Sequence, residues 1–88
     1  MIHELKEWPP FFEAVKEGKK TFEVRKDDRG FKVGDELMLR EYVPEGYFPE
    51  IREGYYTRHI LQRRISYIMP GGAFGIKEGY VVLGLEKV

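Results

Sequence analysis

The 88-residue chain contains no cysteine, which excludes disulfide bonds and metal sites built from thiolates. Its 15 Lys and Arg residues are matched by 15 Asp and Glu residues, so the net charge does not favour non-specific binding to nucleic acid. No apolar run approaches the roughly 20 residues of a membrane-spanning helix, and the N-terminal segment does not resemble a signal peptide. We therefore expect a cytoplasmic protein with no membrane association, no cofactor and no metal.

The composition that is present predicts one folded domain over residues 1–88. Apolar residues make up 42% of the chain, which is typical of a globular protein and not of a disordered one. Charge is unevenly distributed, because residues 16–32 hold seven Lys and Arg against four acids, whereas residues 33–54 hold six acids against two arginines. A basic face of this kind can attract phosphate despite a neutral total, although an ordinary mixed surface is the alternative.

The first third of the sequence predicts a strand, a helix and a second strand. Residues 2–6 suit a short opening strand, and four apolar residues at helical spacing then predict a helix over 9–17 (Trp8, Phe11, Phe12 and Val15). Residues 20–26 alternate in polarity, as strands do. We expect the four apolar helix residues to belong to the core and to pack against Phe22 and Val24. Thr21, Glu23 and Arg25 should point outward.

The remainder of the chain predicts further strands. They lie at 35–42, at 56–69 and in the closing segment 80–88, which is apolar on both faces and so suits the middle of a sheet. The imperfect alternation of 56–69 indicates a bulge or a frayed start, and 43–55 reads as a hairpin loop. The fold class is therefore mainly β, a small closed or half-closed barrel with a helix over one opening.

Two long stretches resemble the ASCH domains of the DUF3850 group. They are HELKEWPPFFEAVKEGKKTFEVRKDDRGFKVGDELMLREY and, later, SYIMPGGAFGIKEGYVVLGLE. The resemblance implies a PUA-like pseudo-barrel of about five to six strands with one or two flanking helices. It also implies that a cleft between helix and barrel holds RNA or a nucleotide. This implication rests on similarity of fold alone.

The candidate ligand-binding residues cluster near the second strand. Cations suit phosphate, and the Glu23 carboxylate can accept hydrogen bonds from a base edge. The alternatives are exposed ion pairs along the strand, a turn in which Asp28 pairs with Arg29, and a structural role for His3. The full candidate set is His3, Lys6, Lys20, Thr21, Glu23, Arg25, Lys26, Asp28 and Arg29.

Some proteins related to ASCH domains resemble amidohydrolases that act on N4-acetylcytidine, with a lysine, a threonine and a glutamate acting together. The lysine corresponds to Lys20, but the threonine position carries Glu23, and the later helical segment that supplies the glutamate is missing here. A carboxylate can still activate water, so Lys20 and Glu23 are candidate catalytic residues for amidohydrolase or nuclease-like chemistry. We nevertheless expect binding and not catalysis.

Two further segments offer alternatives. The loop at 44–56 combines acids with four aromatic residues (Tyr47, Phe48, Tyr55 and Tyr56) and suits a protein partner, which would make the chain an interaction module accessory to a larger complex. The glycine-rich segment around Gly71, Gly72 and Gly75 exposes backbone N–H groups and can line a cleft, or is a plain connection.

Overall fold

A computed structural model describes all 88 residues and has five strands and one helix. The elements are β1 (Ile2–Glu7), α1 (Pro9–Lys16), β2 (Phe22–Lys26), β3 (Glu36–Val43), β4 (Tyr55–Pro70) and β5 (Tyr80–Lys87). The mainly β architecture expected from the sequence is confirmed. Each element lies within two residues of the segment expected for it.

The five strands form one curled sheet in the order β1-β3-β4-β5-β2. β1 runs parallel to β3, and every other neighbouring pair is antiparallel. The sheet is a half-barrel, because its two edge strands, β1 and β2, are not paired with one another. We call the gap between these two edges the seam.

Helix α1 begins and ends where its sequence requires. Two prolines occupy its first positions, where a missing backbone N–H costs nothing. It ends at Lys16, two residues before Gly18, whose φ of 78° lies in the left-handed region. The Lys19 N–H then returns to the Ala14 carbonyl at 2.9 Å. Its inner face buries Phe12 and Val15. No helix has the length and apolar character needed to cross a membrane.

The core lies between the helix and the concave face of the sheet. Alternation along the strands turns one side chain in two inward, and the main cluster comprises Leu5, Val15, Phe31, Leu37, Leu39, Ile65, Val81 and Leu83. The expected bulge is present in β4, where the register with β5 shifts between Ile65 and Tyr67. The bulge explains the imperfect alternation, because it moves Tyr67 to the outer face while Ile65 remains buried.

The side chains of β2 that point into the core are not the ones expected from the sequence. Phe22 and Val24, expected to be buried, are 44% and 53% exposed, whereas Glu23, expected to point outward, is only 2% exposed. The reason is register, since Glu23 is paired with the fully buried Leu83 of β5 and therefore shares its inward face. A charged side chain can face inward here because the end of the half-barrel near the helix is filled by ion pairs instead of apolar side chains.

Candidate functional site

One cleft, which we call the first cleft, lies where the chain leaves β1 for the helix and returns to β2. It has a volume of about 330 Å³. Two aromatic and two carboxylate side chains line it together with cations, and the complete lining is Lys6, Glu7, Trp8, Phe11, Lys20, Glu23, Val24 and Arg25. It therefore combines apolar walls with a charged floor.

Four side chains form the floor, and we call them the quartet: Glu7, Lys20, Glu23 and Arg25. Lys20 Nζ donates to Glu23 Oε2 at 2.6 Å and lies 3.4 Å from Glu7 Oε1. Arg25 donates from Nε to Glu23 Oε1 at 3.1 Å and from Nη2 to Glu7 Oε2 at 3.2 Å. Two cations thus neutralise two carboxylates that are 4% and 2% exposed.

Each carboxylate oxygen of the quartet accepts one of these bonds. An ionised carboxylate has about four acceptor positions, so both Glu7 and Glu23 keep spare lone pairs next to the cleft. No buried side-chain nitrogen or oxygen in the structure lacks a hydrogen-bond partner. The floor is therefore a satisfied, fixed arrangement of charges that retains the capacity to accept further hydrogen bonds.

Glu7 differs electrostatically from an ordinary glutamate. Burial, followed by the hydrogen bond and the charge of Glu23, raises the pKa of Glu7 from 4.5 to about 7, while Lys20 and Arg25 offset part of that rise. A carboxyl group with a pKa near neutrality exchanges a proton readily at physiological pH. Within the quartet, Glu7 is therefore the group suited to acid–base chemistry.

The walls of the first cleft are aromatic. Trp8 is 51% exposed and Phe11 is 48% exposed, although both were expected to belong to the core. Only Phe12 and Val15 of that apolar helical stripe are buried. The first helical turn therefore presents its rings to the cleft, where their exposed faces can contact a flat ligand.

A second cleft of about 240 Å³ opens along the seam and shares Lys6 and Arg25 with the first. Two arginines bridge the seam, because Arg25 Nη2 donates to the Lys6 carbonyl at 2.8 Å and Arg29 Nη1 donates to the Glu4 carbonyl at 2.7 Å. These bonds satisfy carbonyls at the unpaired edge of β1. The remaining lining residues are Leu5, Arg40 and Tyr56.

Five of the expected site residues therefore lie together: Lys6, Lys20, Glu23, Arg25 and Arg29 all line one of the two adjoining clefts. The four others do not line either cleft. Lys26 and Asp28 are exposed near a smaller hollow at the β2 end of the seam, where Asp28 lies 3.6 Å from Arg29. Thr21 is exposed, and its carbonyl accepts from the Leu85 N–H at 2.9 Å.

His3 lies outside both clefts, in a structural position on the buried face of β1. It is buried, and its Nε2–H donates to Asp35 Oδ2 at 2.9 Å, which fixes that nitrogen as the protonated one because a carboxylate only accepts. This bond is the leading cause of a lowered pKa for Asp35. The imidazole edge packs against Phe31 with ring centroids 4.8 Å apart, so the pair anchors β1 to the turn before β3.

Sequence reasoning missed Glu7 and Arg40 altogether. The alternation of IHELKE was the available signal for Glu7, since it places His3, Leu5 and Glu7 on one face. No local signal pointed to Arg40, which reaches the second cleft only because β3 lies beside β1 in parallel register. No group of three or more His, Asp or Glu side chains in the structure is arranged to hold a metal ion.

Comparison with known families gives one match along almost the whole chain. Residues 2–85 match a family model described as a domain of unknown function, DUF3850. The chain belongs to the DUF3850 family. Both clefts lie within the matched residues, so the site described above is part of the family domain.

One relative is a phage protein. The domain is 38% identical over 65 residues to a protein of Escherichia phage P2 described as an uncharacterized 12.9 kDa protein in the GpA 3′ region. The match covers 74% of this chain and 51% of the phage protein, so it spans about half the length of that relative.

Proposed function

We propose that this DUF3850 domain binds a nucleobase, in a nucleotide or in RNA, in its first cleft. The observation that supports the proposal is a pair of buried carboxylates, Glu7 and Glu23, at the floor of a cleft whose walls are the half-exposed rings of Trp8 and Phe11. A volume of about 330 Å³ lies at the lower end of the range for small-molecule sites, about 300–1,000 Å³.

The two kinds of surface suit the two kinds of contact that a base makes. Exposed aromatic rings stack on the faces of bases, which contributes about 1–3 kcal/mol for each base. Carboxylates accept hydrogen bonds from amino groups at base edges. The resemblance to ASCH and PUA-like domains, in which the cleft between helix and barrel is the expected ligand site, supports the same assignment.

The Glu23 carboxylate gives a base preference, because an ionised carboxylate only accepts hydrogen bonds. Cytosine, adenine and guanine each present an amino group, whereas uracil presents a carbonyl oxygen at the position of the cytosine amino group. A base oxygen that faces this carboxylate is repelled, and a good edge contact discriminates by about 1–3 kcal/mol. We therefore expect cytidine to bind about tenfold more tightly than uridine.

Ligand binding can be measured by the fluorescence of Trp8, because Trp8 is the only tryptophan and lies in the cleft wall. Titration of the protein with each of the four nucleosides should quench its fluorescence, with uridine weakest. Glu23→Gln, whose amide both donates and accepts, should narrow the ratio of cytidine to uridine affinity. Glu13→Gln, on the exposed face of the helix, is the matched control.

The proposal fails if none of the nucleosides changes the fluorescence or binds by calorimetry. It also fails if Glu23→Gln folds but leaves the base preference unchanged. Should Glu23→Gln not fold, Glu7→Gln tests the same floor with a smaller perturbation, because glutamine resembles the protonated carboxyl group that the raised pKa of Glu7 favours.

One observation favours a second candidate function, hydrolysis of an N-acylated base. Glu7, with a pKa of about 7, lies beside Lys20 and suits a general base. Glu7 would take a proton from water as the water attacks the acyl carbonyl carbon, and the proton would pass to the nitrogen as the C–N bond breaks. We expect N4-acetylcytidine to be recovered intact, because Glu23 stands at the threonine position. Acetate release that Glu7→Gln abolishes would favour hydrolysis.

A protein partner at the 44–56 loop is a separate proposal. Tyr47 and Phe48 lie at the hairpin tip with ring centroids 4.9 Å apart, and both rings are exposed. Nothing in this arrangement contacts the first cleft. If the domain acts only through this loop, substitutions in the quartet will leave partner binding unchanged while Tyr47→Ala and Phe48→Ala weaken it.

A further inference from the structure

We infer that the second cleft binds a phosphate group, so that the ligand is a nucleotide and not a free nucleoside. The inference rests on the proposed function, because the phosphate would belong to the nucleotide whose base occupies the first cleft. The two clefts adjoin one another through Lys6 and Arg25, which places a phosphate subsite within reach of a base subsite. A sugar would lie between the two.

Arg25 is not the phosphate ligand, although the sequence suggested that it was. Its guanidinium already donates to Glu7, Glu23 and the Lys6 carbonyl. Its charge, like that of Lys20, is balanced inside the quartet. The cations left to face the second cleft are Lys6, Arg29 and Arg40.

These three cations are held in place mainly by groups other than buried carboxylates. Lys6 takes part in none of the ion pairs of the structure, and its Nζ lies 4.4 Å from the centroid of the Tyr42 ring. The Arg40 guanidinium lies 3.9 Å from the centroid of the Tyr56 ring. Cation–π contact of this kind orients a charge without neutralising it.

Arg29 has the most donors available. Its Nη1 is bonded to the Glu4 carbonyl, which is uncharged, and a guanidinium has five N–H donors in all. Two acids are close, since Glu4 Oε1 lies 3.3 Å from Arg40 Nη1 and Asp28 Oδ1 lies 3.6 Å from Arg29 Nε. Both are mainly exposed, and exposed pairs of this kind are weak, so a phosphate able to accept bidentate bonds can displace them.

The probes are cytidine, cytidine 5′-monophosphate and a cytidine trinucleotide. Their binding is measured by Trp8 fluorescence at two or more salt concentrations. We expect the monophosphate to bind about tenfold more tightly than cytidine at low salt. The double variant Arg29→Ala with Arg40→Ala should remove that advantage and leave the affinity for cytidine unchanged. Lys16→Ala with Lys77→Ala, two exposed lysines outside both clefts, is the control that removes the same charge.

The outcomes separate this inference from the proposed function. Equal affinities for cytidine and its monophosphate, both unaffected by the arginine variants, overturn the phosphate site and leave base binding in place. No quenching by any probe overturns both. If the trinucleotide binds more tightly than the monophosphate, with a salt slope that falls by about 0.7 for each lost contact, the phosphate belongs to RNA. Equal affinity for the two assigns the site to a free nucleotide.

Discussion

Glu7 is the last residue of β1, and its position gives it chemistry that its sequence neighbours do not suggest. It shares the inward face of the strand with His3 and Leu5, where an apolar side chain would be expected. Glu23 makes the same inward turn from β2. Buried acids are tolerated only when they are paired, and the two cations of the quartet supply that pairing.

The raised pKa of Glu7 predicts a particular dependence of stability on pH. Its pKa is about 7 in the folded protein and 4.5 as the ordinary value, so folding favours the protonated form. The stabilising contribution is complete below about pH 4.5, declines as the pH rises towards 7 and is lost above it, with a total change on the order of 3 kcal/mol.

Urea unfolding of the parent and of Glu7→Gln between pH 5 and pH 8 measures this contribution. The parent should lose stability relative to Glu7→Gln as the pH rises, because glutamine cannot ionise. Glu13→Gln on the exposed helix face should follow the parent at every pH. Parallel curves for the parent and Glu7→Gln would show that Glu7 titrates normally in the folded protein.

At the scale of elements, the sequence predicted positions well and orientations less well. Periodicity located the helix, all five strands and the β4 bulge, because spacing and turn residues are local properties. It assigned the wrong faces to β2, since Phe22 and Val24 look like the inward pair of any amphipathic strand. Which face of a strand turns inward is set by register with β5, which is not local.

The helix provides a direct test of orientation, because two adjacent phenylalanines face different surroundings. Phe12 is 2% exposed in the core, whereas Phe11 is 48% exposed at the first cleft. Phe12→Ala should cost on the order of 3–5 kcal/mol, and Phe11→Ala should cost less than about 1 kcal/mol. Unfolding free energies decide this, and similar losses for the two variants would contradict the orientation of α1.

Phe11→Ala should still affect ligands. If the ring stacks on a base, its removal should lower the affinity for all four nucleosides by a similar factor, because stacking depends little on which base is bound. This pattern differs from that of Glu23→Gln, which should change the preference among bases. The candidate site could be predicted only in part because its aromatic walls and its charged floor come from separate elements.

At the scale of the whole molecule, the decisive feature is that the barrel does not close. β1 and β2 are both sheet edges, and the bonds that cross the seam come from arginine side chains and not from a backbone ladder. The clefts lie along this seam for the same reason, since a closed ladder would leave no space there. Three cations without buried carboxylate partners, Lys6, Arg29 and Arg40, therefore line this seam in a chain with no net charge.

An open barrel should also open unevenly. Edge strands held by side-chain bonds unfold locally at lower free energy than central strands, so amides of β1 and β2 should exchange with solvent faster than those of β4 and β5 under native conditions. Arg29→Ala should widen this difference, because it removes the bond to the Glu4 carbonyl at 2.7 Å without touching the core. Lys77→Ala, away from the seam, should leave the exchange pattern unchanged.

A nucleotide that spans both clefts should have the opposite effect to Arg29→Ala and slow exchange selectively in β1 and β2, because a ligand that binds only the closed seam stabilises it against opening. Uniform exchange across the five strands, unaltered by Arg29→Ala, would mean that the seam is as firmly held as the paired strands and that the arginine bridges contribute little.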